Sequence, residues 1–158
     1  MKIEYLKMST SDKSLLISYL NSRKKGIFVF SGPSGSGKSL LLHTIIGSND
    51  KSKKLSDEAI TGMLIKEIKE SDTMDNSMER VIRSLKGFEI ISIEDIDLLE
   101  GKQYTLKTIA QIANTLAEET LFIFTGTDIE NRVPELIDNL EFPQIIDFEK
   151  ELKENESE

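Results

Sequence analysis

Residues 32–39 read Gly-Pro-Ser-Gly-Ser-Gly-Lys-Ser and satisfy the pattern G-x-x-x-x-G-K-[ST]. The chemistry suited to these residue types is phosphate binding. Glycines let the backbone curl until successive N–H groups point at phosphate oxygens. A helix starting near Lys38 adds its positive end. Lys38 places a compact charge between β- and γ-phosphates, and the Ser39 hydroxyl can ligate Mg²⁺. The candidate phosphate contacts are Gly32, Pro33, Ser34, Gly35, Ser36, Gly37, Lys38, Ser39 and Leu40. The expected ligand is a nucleoside triphosphate, ATP with Mg²⁺. A Gly/Ser-rich loop with a chance lysine would leave the apolar segments on both sides of it unexplained.

A second candidate is Ile90-Ile91-Ser92-Ile93-Glu94-Asp95, an apolar run closed by two carboxylates. One carboxylate can hold Mg²⁺, usually through water, and the next can polarise an attacking water. Glu94 takes the metal position together with Ser39, and Asp95 takes the base position. The usual order in such a segment is Asp then Glu, so both side chains here differ by one methylene. Metal binding tolerates that change better than water activation, which depends on fine geometry. An acidic strand end facing solvent is the plain alternative. Asp97 reads as a spare, exposed acid. A third candidate is Phe124-Thr125-Gly126-Thr127-Asp128, where a polar run ends an apolar one. Thr125 and Thr127 stand where a γ-phosphate or attacking water could be touched, and a plain turn is the competing reading. His43, one turn into the helix after the loop, reads as a packed or capping residue.

These groups need a frame that brings them together. Ile27-Phe28-Val29-Phe30 is apolar throughout, as in a strand buried on both faces. Residues 88–93, 121–124 and 145–148 repeat that signature, and a weak strand is expected near 54–56. Helical spacing marks residues 11–23, 38–46, 63–70, 78–86, 104–118 and 130–140, the last with Pro134 near its start. Within 104–118, Leu106, Ile109, Ala113 and Leu116 share one face. Strands alternating with helices predict an α/β fold with a parallel sheet. In such sheets ligands sit beyond the carboxyl ends of the strands. All three candidate segments lie at that edge.

Composition narrows the class. With 158 residues and 38% hydrophobic content, the expectation is one domain over residues 1–148 and a charged, fraying tail over 149–158. No stretch reaches the roughly 18 apolar residues of a membrane span, and no apolar leader opens the chain. A cytoplasmic protein is expected. The lack of cysteine rules out disulfides and thiolate metal sites. A net charge of −8 opposes direct DNA binding, which relies on phosphate neutralisation. The short basic groups at Arg23, Lys24 and Lys25 and at Lys51, Lys53 and Lys54 read as solvated loop charge.

The chain resembles the AAA+ domain of the bacterial replication initiator DnaA and its small relative Hda. The resemblance rests on residues 35–45, on Ile93-Glu94-Asp95-Ile96-Asp97-Leu98-Leu99-Glu100-Gly101-Lys102, and on residues 125–140 with Val133-Pro134-Glu135-Leu136. It covers about 11–148. It implies a three-layer P-loop fold with a five-stranded parallel sheet, order 5-1-4-3-2. It also carries Lys38, Ser39, Glu94, Asp95 and Thr125 to the family's usual roles.

Departures from the family are as telling. Where DnaA-like proteins supply an arginine finger, this chain has Asp138-Asn139-Leu140-Glu141-Phe142, and Arg132 lies too early to match. No helical lid, DNA-binding domain or Gln-Leu-x-Leu-Pro clamp-binding pattern is recognised. An arginine finger contributes about 10³–10⁵ in rate. The expectation is therefore an ATP-binding partner of replication initiators or other AAA+ proteins, with weak or partner-dependent hydrolysis. An active ATPase of the helicase-loader or transposition-helper type and a nucleotide-independent adaptor are the alternatives.

Overall fold

The computed structural model describes residues 4–6, 25–33, 35, 37–47, 51–70 and 74–148. The expected helix over 11–23 and the expected tail over 149–158 lie outside them. The strands are β1 (Glu4–Leu6), β2 (Gly26–Ser31), β3 (Ser52–Leu55), β4 (Ile90–Ile93), β5 (Leu121–Gly126) and β6 (Gln144–Asp147). The helices are α1 (Lys38–Ile46), α2 (Asp57–Glu70), α3 (Met74–Leu85), α4 (Gln103–Leu116), α5 (Ile129–Arg132) and α6 (Pro134–Asn139), with a 3-10 turn at Ile96–Leu99.

The sheet order is β1-β6-β2-β5-β4-β3, with every described pairing parallel. Reading β2 to β6 as the five expected strands, their order is 5-1-4-3-2, as the family resemblance implies. The sixth strand, β1, was not expected. Its backbone adds to the outer edge of β6, Tyr5 standing opposite Ile145. Three residues with one acid carry no readable strand pattern.

Strand alternation sorts the core into two layers. Ile27 and Val29 of β2 lie in one cluster with Ile91, Ile93, Phe122, Phe124 and Ile145, covered by α2, α3, α4 and α6. Phe28 and Phe30 lie in the other, with Ile90, Leu121, Ile123 and Ile146, covered by Leu41, Leu42 and Ile45 of α1. Both faces of the central strands are thus buried, which explains their unbroken apolar runs. The expected face of α4 is buried: Leu106, Ile109, Ala113 and Leu116 are at most 3% exposed.

The helix expected over 130–140 is two helices. The residue before a proline is pushed out of the α region, and Val133 sits at φ −129°. Pro134 then opens α6, where its missing N–H costs nothing. Asn114 of α4 clasps the far end of α6, donating to Asn139 O (2.9 Å) and accepting the Glu141 N–H (2.8 Å). Among the described residues no helix is long and apolar enough to cross a membrane.

Candidate functional site

The carboxyl ends of β2, β4 and β5 share one edge of the sheet, so the three candidate segments converge. Gly32 opens the loop by donating its N–H to Gly126 O at 3.1 Å, which ties the loop to the end of β5. Gly35 (φ +83°) and Gly37 (φ +99°) hold left-handed backbone, the conformation that favours glycine over any residue with a Cβ. Gly37 precedes α1 and no side chain caps that helix. The first-turn amides of Lys38, Ser39 and Leu40 therefore face the loop without an intrahelical or side-chain acceptor. Ser34 and Ser36 lie outside the described residues. Ser39 is exposed. Leu40 is 62% exposed.

Lys38 folds back over its own loop. Its ammonium donates to the carbonyl oxygens of Gly32 and Pro33. Burial pushes its pKa below the usual 10.5, while the negative charges of Asp97 and Asp95 oppose that shift. The cation and the two aspartates after β4 thus share one electrostatic neighbourhood.

β4 is buried along its whole length. Glu94, half-buried, keeps its N–H on Leu55 O of β3 at 3.2 Å. Asp95 leaves the strand in left-handed backbone (φ 57°) with an exposed side chain. Its N–H donates to Thr125 Oγ1 at 3.4 Å, joining two candidates 30 residues apart. Thr125 is itself buried.

Asp97 is not the exposed spare acid that the sequence suggested. It is buried, with Oδ1 accepting the Thr127 N–H at 3.1 Å and Oδ2 accepting from Arg132 Nη1 at 3.1 Å. The left-handed turn at Asp95 swings the chain back so that Ile96 and Leu99 enter the core, and Asp97 goes in between them. A carboxylate taken out of water must find partners. Gly126 makes room for it: a Cβ there would lie 2.7 Å from Asp97 Oδ1. Arg132, read from sequence only as a poor match to a finger, also meets Glu100 through Nε at 3.4 Å. Thr127 thus contributes a main-chain amide rather than its hydroxyl. No local pattern announces this network, whose members lie 30 and 35 residues apart.

His43 is neither packed nor a side-chain cap. Its ring is exposed, and Nε2 lies 2.8 Å from Lys54 Nζ, while its carbonyl accepts the Gly47 N–H that ends α1. Lys53 and Lys54 belong to β3 rather than to a loop, and Lys51 pairs with Glu89 at 4.0 Å.

The donor set fits a magnesium triphosphate in kind. The loop offers backbone amides and an ammonium, and Ser39 and Glu94 offer oxygen ligands suited to a hard cation. Among the described residues no group of three or more acids or histidines converges into a metal cage.

Residues 12–153 match the profile described as the bacterial DnaA ATPase domain. The chain belongs to that family. DnaA structures agree with it in fold. Domain III of the Thermotoga maritima replication initiation protein DnaA aligns with a TM-score of 0.67 at 15% identity, over 90% of this chain and 63% of that one. The replication initiator DnaA bound to AMPPCP and single-stranded DNA gives 0.61 at 19%, over 87% and 44%. The Aeropyrum pernix ORC1 protein in complex with DNA gives 0.55 at 15%, over 89% and 45%. The chain therefore spans less than two thirds of the length of each DnaA or ORC1 structure. No curated protein matches it in sequence.

Proposed function

We propose that this DnaA-family domain binds ATP with Mg²⁺ at residues 32–39. We further propose that it regulates or assists replication initiation through contacts with an initiator or another AAA+ protein. The observation that carries the reading is the loop itself: left-handed Gly35 and Gly37, an uncapped helix start, and Lys38 within the field of two aspartates. Phosphate oxygens would take over the Lys38 ammonium from the Gly32 and Pro33 carbonyls. Mg²⁺, when bound, stabilises charge on the phosphates. Ser39 and Glu94 are the residues to hold it. Asp95 is the residue to accept a proton from water, and Thr125 supports Asp95 through its amide.

Binding outweighs turnover in this reading. Glu94-Asp95 reverses the usual acid order, and residues 138–142 carry no arginine. Hydrolysis is accordingly slow or partner-dependent. The test is calorimetry and thermal melting with Mg·ATP. Saturation at 100 times Kd should stabilise the fold by about 2.7 kcal/mol. A flat calorimetric trace with an unmoved melting temperature removes the proposal. Turnover that rises with DNA and disappears in Lys38→Ala would favour the helicase-loader type of ATPase instead.

A further inference from the structure

Two turns at the site edge, residues 95–99 after β4 and residues 127–128 after β5, are joined through one carboxylate. Asp97 Oδ1 accepts the Thr127 N–H and Oδ2 accepts from Arg132, both at 3.1 Å. Its side chain is only 9% exposed, and Arg132 extends the chain of charges to Glu100. Gly126 leaves the carboxylate its space, since a Cβ at that position would lie 2.7 Å from Asp97 Oδ1. The neighbouring tie, Asp95 N–H to Thr125 Oγ1, is 3.4 Å and neutral, which is long for such a bond. The charged tie at Asp97 is the stronger of the two.

We infer that Asp97 is a positioning residue: its carboxylate, neutralised by Arg132, sets where Asp95 and Thr125 stand relative to the phosphate loop. The inference rests on the nucleotide-binding reading above. A carboxylate this buried is tolerated only while compensated. Its compensation comes from an amide on the β5 turn and a guanidinium on α5. Sliding the 95–99 turn breaks both bonds together, so that turn is held in register with the end of β5. Asp95 begins the same turn, and its alignment with a bound ligand depends on displacements of an ångström or less. An ion pair serving stability alone would not govern how magnesium changes nucleotide affinity.

The test uses the full chain with Asp97→Asn, Arg132→Gln and the double variant. Asp97→Asn keeps the shape and an acceptor for Thr127 but removes the charge. Arg132→Gln alters a half-exposed side chain far from Asp95 in sequence. Without nucleotide, Arg132→Gln should shift the Asp95 and Thr125 amide resonances while Gly47, at the far end of α1, stays put. ATP affinity is then measured with Mg²⁺ and with EDTA. The ratio of the two should fall about tenfold in each single variant and no further in the double, because the residues act as one unit. Affinity in EDTA should stay within about twofold in Arg132→Gln, because the loop's own amides and ammonium are unchanged there. A lower melting temperature with an unchanged magnesium ratio overturns the inference, as do unmoved Asp95 and Thr125 amides. A wild-type chain that binds no ATP under either condition defeats the nucleotide reading instead. The amide shifts then decide alone whether Asp97 holds the two turns together.

Discussion

The turns after β4 and β5 use the same backbone device for opposite ends. Each leaves a buried strand through an aspartate in left-handed backbone, Asp95 at φ 57° and Asp128 at φ 49°. Each continues into a single helical turn. Asp128 then closes on itself: its Oδ1 accepts from Asn131 Nδ2 at 2.8 Å, and its carbonyl accepts the Arg132 N–H at 2.9 Å. Asp95 closes only its backbone, through its carbonyl to the Leu98 N–H at 3.0 Å, and leaves its carboxylate exposed. Similar main-chain bends therefore give one sealed turn and one that presents an exposed acid whose charge reaches Lys38. Aspartate suits both because its short side chain makes the left-handed region accessible.

The sharpest way to break that comparison is to neutralise each acid. Asp95→Asn should cut whatever turnover the wild type shows by about 10²–10⁴, the usual worth of a general base. Asp128→Asn should leave it within about twofold, since the amide can still serve Asn131. Equal losses in a phosphate-release assay would mean that the two turns do not differ in function.

The next effect is smaller and concerns the cation on which the Asp95 charge acts. Lys38→Ala should weaken Mg·ATP binding by about 10- to 100-fold, the worth of a charged hydrogen-bonding group. Burial lowers the Lys38 pKa from 10.5, so the wild type should lose ATP affinity as pH rises, starting below that value. Deprotonation removes the charge that the phosphates need. Lys38→Ala should show no such step in a calorimetric pH series.

The smallest effect separates the turns by stability alone. Asp95→Gly relieves left-handed strain and gives up no side-chain bond, so denaturant melts should show a gain of about 0.5–1 kcal/mol. Asp128→Gly relieves the same strain but loses the Asn131 contact, so its gain should be smaller. A larger gain at Asp128 would reverse the assignment of which turn is self-satisfied.

What is legible in the sequence depends on the range of the signal. The phosphate loop is local in sequence, and glycines in left-handed backbone followed by a lysine state their purpose within eight residues. β2, β4 and β5 were legible because burial on both faces demands apolar residues throughout. The break at Val133–Pro134 was legible in principle, since a proline constrains its predecessor. The Asp97 network was not. Gly126, Thr127 and Arg132 matter only once the turn after β4 folds beneath the end of β5. The same holds for His43, whose partner Lys54 comes from another element.

The outer strand of the sheet has a consequence for how the molecule behaves in a crowd. Among the described strands β3 stands at one margin of the sheet, opposite β1. Such a border invites strands from other molecules to add on and polymerise. Lys53 and Lys54 stand exposed in the middle of that border, and bringing a second copy alongside would crowd like charges together. Acetylating those lysines should raise the light scattering of stored samples.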